Sequence, residues 1–157
     1  MQLKQLNKID IEQFKRGSFS FDGLSAFNDS IPPIHVFERS LKLLEQGINP
    51  IWALSYLIIH DQKIVGCCGF KSKPLLNAVE VGYNVASDTR GQGLATLALR
   101  ELCQVAFSNS VNSVKALISS QNMASRNVVM KNKFSFIDIV IDDEGEELEY
   151  WELSIKS

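Results

Sequence analysis

Two glycines one residue apart, just ahead of an apolar helical stripe, are the residues of this chain best suited to chemistry. The stretch from Val79 to Leu102 reads VEVGYNVASDTRGQGLATLALREL. Val79, Val81, Tyr83 and Val85 alternate with Glu80, Gly82 and Asn84, a strand of period two with Glu80 and Asn84 on one face. A loop follows with Arg90, Gly91, Gln92 and Gly93, and Leu94, Leu97, Ala98, Leu102 and Val105 then recur on one helical stripe. The first turn of a helix presents backbone N–H groups without intrahelical partners and the positive end of the helix dipole. Gly91 and Gly93 let a bulky anion come close to that backbone. The spacing predicts a phosphate or pyrophosphate site.

Two common phosphate motifs are excluded. A Walker loop needs GxxxxGK followed by Ser or Thr, which is absent. In a dinucleotide fingerprint the third position after Gly91-x-Gly93 is Gly or Ala, and here it is Thr96. The acidic ribose ligand expected about 20 residues on is also missing, since Ser113 to Ser120 holds no Asp or Glu.

Arg90-Gly91-Gln92-Gly93-Leu94-Ala95 resembles the Gln/Arg-x-x-Gly-x-Gly/Ala signature of the GNAT superfamily of N-acetyltransferases. Glu80-Val81-Gly82-Tyr83 is similar to the strand that precedes this loop in the RimJ/RimL-like branch, which acetylates ribosomal-protein N-termini. The block from Asn122 through Ser125 to Phe134 resembles that branch's Asn-x-x-Ser block. The resemblance implies a GNAT fold: a mixed α/β, mostly antiparallel twisted sheet of six to seven strands. It has one splayed parallel pair and about four flanking helices.

The resemblance further implies acetyl-CoA as the cofactor. Backbone amides from Gln92 through Gly93 and Leu94 to Ala95, with Arg90 and Gly91, would hold its pyrophosphate. Asn122 would meet the pantetheine arm, and the arm would lie between the splayed strands near Val85 and Ser119. A backbone N–H near Asn84 or Val85 would polarise the thioester carbonyl. Glu80 would take the amine proton through a water, and the hydroxyl of Ser125 would give one to the sulfur. The segment 17–35 would line the acceptor cleft. Two positions depart from the family pattern. Val129 stands seven places after Asn122, where many members carry a tyrosine acid, and Lys133 stands where a glycine is usual. If that position is left-handed, a lysine there costs about 1 kcal/mol. The alternative is that Asn132 takes the left-handed role.

The function expected is transfer of an acetyl group from acetyl-CoA to a primary amine, by direct attack in a ternary complex. The acceptor is a protein N-terminus or a small-molecule amine. The alternative is a weakly active acyl-CoA-binding module serving as a sensor or partner subunit. Nucleic-acid and membrane partners are not expected, and a homodimer is left open.

These residues must be positioned by the rest of the chain. Residues 9–16 read as a short helix ended by Gly17, and a strand is expected near residues 2–6. Pro32 and Pro33 open a helix carrying Val36, Phe37, Ser40, Leu41 and Leu44, with Gly47 at its end. Trp52 to His60 reads as a buried strand, hairpinned onto Lys63 to Phe70. Val114–Ile118, Phe134–Ile141 and Leu148–Ile155 are the remaining strands, and Asn122 caps a helix to about Lys131. Phe19, Phe21, Phe27 and Trp52 are expected in the core, though some could touch substrate.

The chain has 157 residues, 45% hydrophobic and 22% charged, and reads as one domain over 1–157. A formal net charge of −2 gives no basic excess for nucleic acid. Asp142, Asp143, Glu144, Glu146, Glu147 and Glu149 form an acidic run, and removing these six charges from −2 leaves +4 for the remainder. A mildly basic body suits an anionic cofactor, and an acidic hairpin beside the acceptor would attract a cationic amine. Three cysteines (Cys67, Cys68, Cys103) and two distant histidines (His35, His60) fit neither a disulfide framework nor a zinc site. Reduced thiols in the cytoplasm are expected.

Overall fold

The computed structural model describes residues 1–18 and 21–155. The first strand, β1 (Gln2–Gln5), leads into α1 (Lys8–Lys15). A capping box starts that helix: the Asp10 N–H donates to the Asn7 side chain at 2.8 Å, and the Asn7 N–H donates back to the Asp10 carboxylate at 2.9 Å. Next come β2 (Ser25–Ala26), α2 (Ile34–Glu45) and α3 (Pro50–Ala53). The strand expected from Trp52 begins later. Asn49 accepts from the Ile51 N–H at 2.9 Å and Pro50 opens a single helical turn that takes Trp52 into α3.

β3 (Tyr56–His60) and β4 (Lys63–Phe70) form the hairpin, and β5 (Ala78–Val85) follows. After a short 3-10 turn come α4 (Leu94–Ser108), β6 (Ser113–Ser119), α5 (Met123–Lys131), β7 (Ser135–Ile141) and β8 (Glu147–Ser154). The described residues thus form eight strands and five α-helices. The two elements beyond the sequence expectation are the two-residue β2 and the one-turn α3, both too short for periodicity to reveal.

The sheet order is β1-β3-β4-β5-β6-β8-β7, with β2 paired to β4. Every pairing is antiparallel except β5 with β6 and β2 with β4. One core packs Leu94, Ala98, Leu99 and Leu102 of α4 against Val79, Val81, Val114 and Ala116 of the sheet. A second joins Ile11 and Phe14 of α1, Phe37 of α2 and the sheet residues Leu57 and Ile64. Phe21 and Phe27 pack against these cores, and Phe19 lies outside the described residues. Cys67, Cys68 and Cys103 are all buried free thiols.

The central pair matters most for function. β5 and β6 pair only over Ala78↔Ser113, Val79↔Val114 and Glu80↔Lys115. Beyond that point β5 stays on β4 and β6 stays on β8, so the two strands part in a V. The N–H and C=O groups of a strand residue point to alternate sides along the chain. The Glu80 carbonyl accepts from the Lys71 N–H at 2.9 Å, and the Ala86 N–H donates to the Val65 carbonyl at 2.7 Å, so the even-numbered residues of β5 address β4. Tyr83 and Val85 therefore turn their main-chain groups into the V. Of Asn84 and Val85, left open by the sequence, the Val85 N–H is the one that faces the gap.

At the end of α5 the lysine does hold the left-handed position. Lys133 has φ +67°, while Asn132 sits at φ −90° and is only the C-cap. Asn132 is occupied otherwise: its amide donates to the Thr96 carbonyl at 3.1 Å and the Val128 carbonyl at 3.0 Å, tying α5 to α4.

Candidate active site

The glycine loop takes the shape expected of an anion site. Gly91 and Gly93 have φ +83° and +74°, and a Cβ at either would meet no atom within 4 Å. Both therefore leave open space over the backbone, in a conformation that disfavours other residues. Gly93 is the N-cap of α4, brings no capping side chain, and the first turn holds no acidic residue. The Leu97 N–H closes the first helical bond, onto the Gly93 carbonyl at 3.1 Å. The N–H groups of Leu94, Ala95 and Thr96 have no partner among the described residues.

These groups border a cavity of about 350 Å³. Arg90, Gly91, Gly93, Leu94, Ala95 and Val85 line it, together with Asn122 and Ser125. Gln92 is exposed and does not line it. Lys131 lines it and was missed by the sequence reading. Its signal was the spacing Ala124, Val128, Lys131, one face of α5. Neither Arg90 nor Lys131 pairs with a carboxylate among the described residues.

A second cavity of about 360 Å³ lies against the first. Its walls come from α2, β4, the open halves of β5 and β6, and the start of α5. Tyr83, Asn84, Asn122 and Ser125 line both cavities, so the two meet in the V between β5 and β6.

That junction is held by hydrogen bonds. The Ser125 N–H donates to the Asn122 side chain at 3.0 Å, so Asn122 is the N-cap of α5. The Tyr83 hydroxyl donates to the Ser125 carbonyl at 3.3 Å, and burial pushes its pKa up to about 12. The Ser125 hydroxyl makes no hydrogen bond among the described residues. On the other side, the Asn84 amide donates to the Asp29 carbonyl at 2.9 Å. The Asp29 carboxylate accepts from the Ser87 N–H at 2.9 Å and hydroxyl at 2.7 Å, which holds its pKa below the ordinary value. This clasp joins the loop before α2 to the end of β5.

Glu80 is placed differently from the rest. It lines neither cavity, and its carboxylate holds the Lys71 ammonium at 2.9 Å. Lys71 does line the second cavity, its stem lying across the face left bare by Gly82. Arg126 is engaged as well. Its guanidinium donates to Glu149 at 2.6 and 3.2 Å, fastening α5 to β8. None of the six carboxylates of the acidic run lines either cavity.

A strand, a glycine loop, a helix N-terminus and a splayed strand pair thus share one site. Residues 31–135 match the family model described as an acetyltransferase (GNAT) domain. The chain belongs to the GNAT acetyltransferase family. This GNAT domain is an acetyl-CoA-dependent N-acetyltransferase. It is similar in fold to a ribosomal-protein-alanine N-acetyltransferase from Brucella melitensis, at 16% identity over 99% of this chain and 100% of that one, TM-score 0.68. An N-acetyltransferase from Staphylococcus aureus Mu50 matches at 16% identity, 99% and 98% coverage and TM-score 0.69. An aminoglycoside acetyltransferase solved with coenzyme A matches at 14% identity, 98% and 94% coverage and TM-score 0.68. A search of curated protein sequences returned no significant match.

The residues of the first cavity fit coenzyme A. Unpartnered amides at the α4 N-terminus and the open glycine backbone suit a pyrophosphate, and Arg90 and Lys131 supply positive charge nearby. The V offers strand edges whose main-chain groups have no strand partner, matching an amide-bearing arm. No helix among the described residues is long and apolar enough to cross a membrane.

Proposed function

We propose that this acetyltransferase joins acetyl-CoA in the first cavity to a primary amine in the second, with acetyl transfer in the V where they meet. The observation that carries this reading is the shared wall of Tyr83, Asn84, Asn122 and Ser125. Bound acetyl-CoA supplies an activated thioester. The amides of Gly93, Leu94 and Ala95 hold the pyrophosphate, with Gly91, Gln92 and Arg90 shaping the loop. The Val85 N–H faces the thioester carbonyl and stabilises developing negative charge. Asn122 orients the arm with its free amide while its oxygen caps α5. The Ser125 hydroxyl gives a proton to the departing thiolate; what supports this is its place on both cavities with no competing hydrogen bond. Three free thiols favour the cytoplasm.

Glu80 takes the amine proton through a water beside Lys71. What supports this is Lys71, which lines the acceptor cavity and holds the Glu80 carboxylate. The same ion pair favours a second reading, in which Glu80 is a positioning residue for Lys71. The RimJ/RimL-like resemblance of Glu80–Tyr83 and Asn122–Phe134 supports a peptide N-terminus or a small amine as acceptor.

Steady-state acetylation by Ser125→Ala and Glu80→Gln tests these roles. Each is expected to lower kcat by about 100-fold, the usual size of a proton-transfer contribution, with acetyl-CoA affinity unchanged. If Glu80 is the base, Lys71→Met keeps most of the rate that Glu80→Gln loses. If Glu80 only positions Lys71, Lys71→Met reproduces the Glu80→Gln defect. Wild-type rates in both variants would overturn both roles.

A further inference from the structure

The second cavity carries charge of one sign. Its cationic lining residues are Arg39 and Lys71, with His35 one helical turn before Arg39 on α2, and no Asp or Glu lines it. Lys71 is neutralised by Glu80 at 2.9 Å. Arg39 is half-buried and pairs with no carboxylate among the described residues. Residues four apart on a helix face the same way, so His35 and Arg39 present one edge to the cavity. The start of α2 adds to this, because Pro33 brings no side-chain cap and the first turn has no acidic residue. A polycationic acceptor would meet an unneutralised guanidinium here and find no carboxylate to bind.

We infer that the acceptor is a small amine that also carries an oxyanion, a carboxylate or a phosphate, held by Arg39 while the amine reaches the V. This rests on the acetyltransferase reading and names its substrate class. A guanidinium binds either oxyanion through paired N–H groups, so the shared chemistry is a planar or tetrahedral anion. The cavity wall also includes Val36, Phe70 and Val81, which suits a short apolar spacer between anion and amine. A volume of about 360 Å³ matches a small molecule.

The test is steady-state acetylation of matched amines that differ only in the anion. Phenylalanine is compared with phenylethylamine, lysine with cadaverine, and phosphoethanolamine with ethanolamine; spermidine and an aminoglycoside complete the panel. Acetyl-CoA binding is measured separately by calorimetry. At least one anion-bearing member is expected to exceed its anion-free counterpart about 10- to 100-fold in kcat/KM, the size of one charged hydrogen bond. The carboxylate and phosphate pairs tell which anion it is. Arg39→Gln is expected to close that gap with acetyl-CoA affinity unchanged, and Arg39→Lys to restore part of it. Equal rates within every pair, a preference for spermidine or the aminoglycoside, or a gap that survives Arg39→Gln would overturn the inference. So would acetyl-CoA binding without turnover of any anionic amine. Absence of acetyl-CoA binding would overturn the acetyltransferase reading itself, and this inference with it.

Discussion

At Gly93 one dihedral angle decides whether the site exists. Its φ of +74° aims the following amides outward, and the space a Cβ would enter is empty. Crowding therefore does not demand a glycine; the backbone conformation does. Gly93→Ala is expected to cost about 1–2 kcal/mol of stability through the left-handed backbone alone. Acetyl-CoA affinity should fall about tenfold or more, because relief of that strain turns the amides away. Denaturant melts and calorimetric titration read the two effects apart. Gly93 was legible because glycine chemistry is local. Arg39 was not, since nothing in a surface-like arginine on an amphipathic helix says which cavity the helix edge will face. Lys133 shows the limit from the other side. Asn132 was the alternative for the left-handed position, but the helix closes through the Lys133 N–H to the Met130 carbonyl and the Phe134 N–H to the Val129 carbonyl, both at 3.0 Å, and that closure puts the left-handed residue at Lys133.

The working element is the β4–β5–β6 unit. β5 must leave β6 after Glu80 while remaining tight on β4. Gly66 makes that tightness attainable: a Cβ there would stand 2.2 Å from the Asn84 carbonyl oxygen and 3.1 Å from the Val85 Cα. Gly66→Ala must push the end of β5 away from β4, toward the V. It is expected to cost about 1–3 kcal/mol by overpacking. It should also lower kcat more than it raises the KM for acetyl-CoA, because Val85 moves while the α4 N-terminus does not. Comparing kcat with KM in the variant checks this. Strand and helix positions were legible from periods of two and 3.6 over long elements such as β5 and α4. The turn at Asn49-Pro50 carried its own signals, a capping asparagine and a first-position proline. They were outweighed by the apolar run that begins at Trp52. The hairpin's acidic run reads either as a solvated tip or as an attractor for a cationic amine. None of its carboxylates lines either cavity, and Glu149 on β8 holds Arg126 instead.

For the molecule as a whole, buried acids that stay neutral set the alkaline limit of stability. Burial pushes Cys67, Cys103, Tyr56 and Tyr83 up to about 12 from ordinary values of 9.0 and 10.0. The native state keeps these protons where the unfolded chain releases them. Their contribution is complete below about pH 9 and is lost as pH rises toward 12. Unfolding free energy should fall between pH 9 and 11, by at most about 1.4 kcal/mol per pH unit for each group. Urea melts across that range check it, and Cys103→Ala should flatten the slope. A slope unchanged by that variant would place the loss elsewhere.

A glycine loop that offers its ligand main-chain amides has a consequence for inheritance. Its donors are main-chain amides, which every residue except proline supplies equally. A lineage can therefore rewrite most side chains around such a site without losing the ligand, provided the two glycines remain. What is handed down is a backbone path more than a set of letters. Descendants can then keep the loop while the side chains of the wall opposite change with the acceptor.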